Sequence, residues 1–218
     1  MSEIPSAAPL PVVLSLTDEE LLALGAMTGQ RWPRPLRALA HGAEASLQAA
    51  SGVRSLQARG LLEPELPSEA AGIMGTVMAV YADPPASMTV AVTDADFVID
   101  PGFPVLEILF VPDGVLAVSS TIPGVHTLRV SPVGQVLDSF SEWVDAWSGA
   151  GAGGERQVTA FVRDAGGSGV AGAVLAPRAA RLRRVDADTW RPVALDEPAS
   201  PRELLEGLVD LVAPAVVA

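Results

Sequence analysis

The pattern of apolar and polar positions is clearest between Val105 and Val136. Val105-Leu-Glu-Ile-Leu-Phe-Val111, Val115-Leu-Ala-Val-Ser-Ser-Thr-Ile122 and Val125-His-Thr-Leu-Arg-Val130 are short β-branched runs, separated by Pro112-Asp-Gly114 and Pro123-Gly124. Runs of that length bounded by Pro, Asp and Gly predict an antiparallel meander. Asp113-Gly114 is a pair that tight hairpins favour, because positive φ carries no steric penalty in glycine. Alternation puts Leu109, Val111, Leu116 and Val118 on one face, which is expected to pack on Trp143 and Trp147. Those tryptophans belong to a predicted helix carrying Phe140, Trp143, Val144 and Trp147 at helical spacing, with Asp138 as its N-cap.

Before the meander the period is helical. Thr17-Asp-Glu-Glu20 is a capping box, in which the Thr17 hydroxyl accepts from the Glu20 backbone and the Glu20 carboxylate reaches back. Leu21, Leu22 and Leu24 then form an apolar stripe that stops near Gly29. Trp32-Pro-Arg-Pro35 reads as a stiff connector. Residues 36–62 predict two or three short helices broken at Gly42 and Ser51-Gly52. The last ends on Gly60 and has the pattern of a winged-helix recognition helix. Ser68 opens a further helix with Ile73, Val77 and Tyr81 on one stripe, ending at Asp83-Pro-Pro85. Met88 to Val92 predicts a strand, and Phe97-Val-Ile99 a second apolar run.

After the Gly/Ala-rich stretch 148–154, read as a linker, the same theme recurs. Val158–Val162, Val170–Ala176, Ala179–Val185 and Thr189–Leu195 are strand candidates, with Gly166-Gly-Ser-Gly169 as a turn. Ser200-Pro-Arg-Glu203 is a second capping box with proline at the first helical position, followed by a stripe from Leu204 to Val212. A strand group closed by an amphipathic helix thus occurs at about 88–147 and again at 157–212. The expected fold class is α+β: an antiparallel sheet with flanking helices, a pseudo-two-fold repeat of strand group plus helix, and a winged-helix-like segment near the N-terminus. Residues 1–218 are expected to form one domain, with 1–14 as an extended tail or edge strand.

Composition narrows the chemistry. The chain has 218 residues, 49% of them hydrophobic, enough to bury a sizeable core. It has no cysteine, which removes disulfides, thiolate nucleophiles and thiolate metal sites. Met1-Ser-Glu-Ile-Pro lacks the basic and apolar regions of a signal peptide, and no apolar run reaches the length of about 18 residues that suggests a membrane span. A cytoplasmic location is expected. The net charge is −12, with no lysine, and residues 1–150 hold 17 acids against 6 arginines. Such a surface repels phosphate backbones and disfavours nucleic acid as a partner.

No catalytic, metal or cofactor site emerges. His41 and His126 have no carboxylate at ligand spacing, and a satisfied structural or surface histidine is the preferred reading. Asp94, Asp96 and Asp100 do not match a Ca²⁺ loop. Gly149-Ala-Gly-Ala-Gly-Gly154 follows a helix and precedes a strand, the reverse of a dinucleotide-binding turn. The one basic cluster is Arg178, Arg181, Arg183 and Arg184, expected on a solvated or edge strand. A nucleic-acid-binding regulator using Arg54, Arg59 and that cluster is the second reading, and an assembly component of a larger complex the third.

The order of elements resembles that of the EspG family, the substrate chaperones of actinobacterial type VII (ESX) secretion. The resemblance is carried by Leu16-Thr-Asp-Glu-Glu-Leu-Leu-Ala-Leu24, by Ala58-Arg-Gly-Leu-Leu62, by the meander running into Ser139-Phe-Ser-Glu-Trp143, and by the second strand group with its final helix. It implies a pseudo-two-fold α+β fold that binds the helical tip of a PE/PPE-type heterodimer and keeps it soluble, with no catalytic residue and no cofactor. The expected function is a non-enzymatic protein-binding chaperone or adaptor. Phe97, Ile99 and Phe103, apolar residues set among Asp94, Asp96 and turn residues, are the expected partner contacts: an apolar centre with an acidic rim.

Overall fold

The computed structural model describes residues 13–30, 43–63, 68–83, 85–111, 114–121, 124–149, 155–185, 189–193, 195 and 197–212. Most of the expected tail, the 32–35 connector, the breaks before residue 43, Asp113 and most of the 148–154 linker lie outside the described residues.

The chain opens with β1 (Leu14–Thr17), α1 (Asp18–Thr28), α2 (Ala43–Ala58) and α3 (Ser68–Ala82). A first strand group follows: β2 (Ser87–Thr93), β3 (Val105–Val111), β4 (Gly114–Ser120) and β5 (Val125–Ser131), closed by α4 (Val133–Gly149). The second group is β6 (Gln157–Arg163), β7 (Gly169–Ala176), β8 (Ala180–Arg184) and β9 (Trp190–Val193), closed by α5 (Pro201–Asp210). All the described strands join one antiparallel sheet in the order β1-β5-β4-β3-β2-β6-β7-β8-β9. From β5 to β9 this order is palindromic about the β2/β6 pair, and the fold is the expected α+β with its pseudo-two-fold repeat.

The meander forms because each apolar run spans one sheet width and its punctuation permits a tight reversal, at Gly114 (φ 146) and Gly124 (φ 73). Both capping boxes are present. Glu20 N donates to Thr17 Oγ1 at 3.2 Å while Thr17 N donates to Glu20 Oε2 at 2.9 Å. The Ser200/Glu203 pair does the same at 3.2 and 2.7 Å. Gly29, left-handed at φ 70, ends α1 where the stripe stops.

Two apolar layers sandwich the sheet. On one face Met88, Val90, Val92, Ile108, Val158 and Ala160 pack with α4 and α5 through Trp147, Val144 and Leu205. On the other, Leu109, Val111, Leu116 and Val118 pack with Leu21 and Leu24 of α1, Leu56 of α2 and Val77 and Tyr81 of α3. The expected contact of those four strand residues with Trp143 and Trp147 is therefore corrected. The tryptophan helix covers the opposite face, through Leu106, Ile108 and Phe110. Every residue of β3 is buried and both faces carry apolar residues beside Glu107, so alternation alone cannot say which face receives which helix.

Other expectations shift for local reasons. α2 runs unbroken through Ser51-Gly52, because Gly52 is a packing position: a Cβ there would lie 2.0 Å from the Glu19 carbonyl oxygen of α1. After α2 come a turn and α3, so among the described residues no strand-built wing follows it. Asp138 is not an N-cap. It lies inside α4 and accepts from Arg202 Nη1 at 2.6 Å. Phe97-Val-Ile99 is not a strand but part of the β2–β3 loop, tied back by a single bridge between Thr93 and Ile99.

Alanine ordinarily stabilises a helix interior relative to glycine by about 1 kcal/mol. At Gly52 the backbone contact reverses that sign. Gly52→Ala is expected to lose about 2 kcal/mol as α1 and α2 are forced apart, measured by denaturant unfolding.

Candidate functional site

The two faces of the sheet are unequally covered. α1 to α3 lie over β3, β4 and β5 near Leu109 and Leu128. Further along the same face, toward β2, β6 and β9, an open groove of about 800 Å³ remains. Its floor is polar: Thr89, Thr93 and Thr159, with Glu107 and Ser120 toward the helices, all buried. These residues alternate with the Met88–Val90–Val92 row that faces α4 and α5, so one strand supplies apolar core on one side and hydroxyls on the other.

One wall is aromatic. Phe161 meets Phe97 edge-on, with centroids 6.1 Å apart at 88°, and meets Trp190 at 5.3 Å and 63°. These are edge-to-face arrangements that aromatic quadrupoles favour. Glycines clear the space for this wall. A Cβ at Gly172 would stand 2.9 Å from Phe161, and one at Gly169 would stand 3.1 Å from Trp190. Arg163 lines the groove at the end away from Asp96 and donates from Nη1 to Thr89 Oγ1 at 3.4 Å. The result is a half-apolar concavity with an acid at one end and an arginine at the other.

Of the five expected contact residues, three line this groove: Asp96, Phe97 and Ile99. Asp94 serves the turn itself, its Oδ1 accepting from the backbone of Asp96 and Val98, both at 2.9 Å. Phe103 lies elsewhere. It is half-buried against the α4–α5 core, with the Arg156 guanidinium 5.4 Å from its ring centroid. Arg156 is held in turn by Asp100 at 2.8 Å. Sequence reasoning missed Phe161, Trp190 and Arg163, which come from the second strand group and meet Phe97 only because β6 pairs with β2. The visible signal was the apolar alternation of Val158–Val162, which leaves Phe161 on the outward side.

Two buried polar clusters fix the helical layer beside the groove. His126 Nε2 lies 2.6 Å from Asp18 Oδ1 and its Nδ1 lies 2.8 Å from Ser120 Oγ. All three residues are buried. The backbone adds a further tie, Asp18 N donating to Gly124 O at 2.8 Å. This serine–histidine–aspartate chain links the first turn of α1 to β5 and β4. Ser120 pairs with Val105 on one side and His126 on the other, so this polar chain is built into the interior of the sheet. In the second cluster, Glu20, fully buried, receives Arg59 Nη1 at 2.7 and 2.8 Å and the Ser55 hydroxyl at 2.7 Å. The arginine weighed as a duplex contact is thus engaged in joining α2 to α1.

Both sheet edges are blunted. Arg59 Nη2 donates to Ser15 O of β1 at 2.7 Å, and β9 carries Pro192, which has no N–H to offer another strand. Of the basic cluster, Arg181, Arg183 and Arg184 are exposed on β8 around buried Leu182, and Arg178 is exposed in the bend before it; Arg184 Nη1 donates to Gly169 O at 3.1 Å. Among the described residues no group of three or more histidines or acids is gathered as a metal would need. No helix among them is long and apolar enough to cross a membrane.

Among the described residues the chain is a continuous nine-stranded antiparallel sheet with helices packed on both faces, an α+β fold. No family model matches the sequence, and no curated protein does. Among solved structures the chain is similar to the Mycobacterium tuberculosis type VII secretion system chaperone EspG5, seen in complex with the PE25–PPE41 dimer. The TM-score is 0.53 at 11% identity, covering 93% of this chain and 96% of that one.

Replacing Arg59 with Met would leave the Glu20 carboxylate buried without its cation, and is expected to lower stability by about 2–3 kcal/mol in urea unfolding. A second test concerns Tyr81, whose hydroxyl donates to the Leu21 carbonyl and whose ionisation burial pushes well above the usual tyrosine range. The unfolded chain ionises there near pH 10, at about the reference value, while the folded chain holds its proton to higher pH. Its contribution is therefore complete below about pH 10 and is lost as pH rises beyond it. Tyr81→Phe should remove that alkaline slope from the stability curve.

Proposed function

We propose that this protein is a non-enzymatic chaperone or adaptor that binds a helical protein partner of the PE/PPE kind in the cytoplasm, in the manner of a type VII secretion chaperone. The observation that carries this reading is the likeness in fold to EspG5 over 93% of the chain, joined to a groove on an otherwise well-packed sheet. The groove combines the elements of a specific interface: an aromatic wall, a floor of hydroxyls that can take hydrogen bonds, and charges at its ends. Asp96, Phe97 and Ile99 are the expected contacts of the first strand group, and Phe161 and Trp190 those of the second. Blunted edges favour binding on the face rather than by strand addition.

The test is co-expression with the PE–PPE-type pairs of the same genome. One pair should become soluble and co-purify with the chain, and hydrogen exchange should slow in β2, β6 and β9 on complex formation. Phe161→Asp should abolish co-purification. Phe103→Asp, in contrast, should act on folding and lower the melting temperature. Failure of every pair to co-purify, together with retention on duplex DNA that weakens steeply with salt, would replace this reading with the nucleic-acid one.

A further inference from the structure

We infer that Phe97 is a specificity-determining contact of this groove, kept in spite of a backbone conformation that opposes it. The inference rests on the protein-binding reading above. Its starting point is a pair of turns related by the pseudo-two-fold axis. After β2, Asp94 N donates to Val98 O at 3.0 Å, Phe97 N donates to Asp94 O at 3.1 Å, and Val98 N donates to Asp94 Oδ1 at 2.9 Å. After β6, Asp164 N donates to Ser168 O at 3.0 Å, Gly167 N donates to Asp164 O at 2.9 Å, and Ser168 N donates to Asp164 Oδ1 at 2.8 Å. The two turns share the same three bonds. They differ in the residue at the left-handed position, Gly167 at φ 81 in one and Phe97 at φ 62 in the other.

Glycine occupies that conformation freely, whereas a Cβ there is pressed toward the following carbonyl. Phe97 is the one non-glycine residue with positive φ among the described residues. The turn does not require it, since its twin closes with the same bonds around glycine. Space does not decide the difference either: a Cβ at Gly167 would meet nothing within 4 Å. What differs is the neighbour across the β2/β6 ladder. The register Thr89↔Phe161 and Ala91↔Thr159 makes Ala91 the counterpart of Phe161. Only the turn after β2 therefore has an aromatic ring on which a side chain can stand. Phe97 stands edge-on to it, half-buried, at the end of a wall that Phe161 and Trp190 already form together. A strained residue whose turn does not need it, and whose ring extends a wall facing open space, is one retained for what enters that space.

The structural alternative is that the ring holds the hairpin down by covering Phe161. Phe97→Gly and Phe97→Ala separate the two. Glycine removes the ring and the strain together; alanine removes the ring and keeps the strain. Phe97→Gly should melt at or above the wild-type temperature, and about 2–4 °C above Phe97→Ala. Both should weaken retention of the co-purifying PE–PPE pair by about tenfold or more, as loss of an aromatic hot spot does. Both should also reduce the fluorescence of 8-anilinonaphthalene-1-sulfonate bound to the free protein. A Phe97→Gly melting temperature well below wild type, or unchanged retention and dye binding in that variant, overturns the inference. If no PE–PPE pair binds the wild-type chain, the reading of the partner fails. The melting and dye measurements then still decide whether Phe97 serves the groove or the fold.

Discussion

Seven register pairs between β2 and β6, from Ser87↔Arg163 to Thr93↔Gln157, hold the two halves of the molecule in one sheet. Met88, Val90 and Val92 meet Val158, Ala160 and Val162 across that ladder, and the same residues carry α4 and α5 on their common face. On the reverse side the ladder brings Thr89, Thr93, Thr159 and Phe161 together as the floor and wall of the groove. Core and candidate site are thus two sides of one strand pair. A slip of one residue in that register would turn the hydroxyls into the core and the valines into the groove.

The symmetry set by this ladder is broken by the first helices. α1 to α3 roof the reverse face over the first strand group, and they are secured there by groups that only burial makes strong. Glu20 is held by a capping box, a serine and an arginine at once, and the Asp18 carboxylate by His126 while the Asp18 backbone N–H donates to the Gly124 carbonyl. A carboxylate removed from water with so many donors gives the docking of a helix a definite orientation, which an apolar stripe alone leaves loose. Over the second group the same face stays open among the described residues, and Arg163, Phe161 and Trp190 stand there.

What could be read in advance was whatever is decided within a few residues. Thr17–Glu20 and Ser200–Glu203 announce helix starts because both partners of the capping bonds lie inside one turn. The meander announces itself because its runs and breaks follow one another directly. Even the repeat was legible, since each half ends on an amphipathic helix. Choices settled by distant neighbours were not. Gly52 looked like a helix break because nothing local shows that α1 passes within contact of it. Asp18 and His126 looked unrelated because their contact depends on β1 closing against β5. The lining of the groove was legible by half. Phe97 and Ile99 stood out as apolar residues among acids, whereas Phe161 and Trp190 were hidden in a strand group that seemed to belong to another part of the chain. Phe103, equal to Phe97 in the sequence pattern, turned inward under Arg156.

The paired turns around Asp94 and Asp164, and the palindromic strand order between them, have the form of a symmetric dimer whose subunits have been joined in one chain. In such an interface the same surface serves both partners, and Val90 facing Ala160 at the middle of the ladder marks where the axis passes. Two separate halves would meet only as often as their concentration allowed and would part on dilution. With the chain running on from α4 into β6 the encounter is intramolecular, at an effective concentration fixed by the length of the connection. A groove assembled from both halves is then present in every molecule however scarce the protein is.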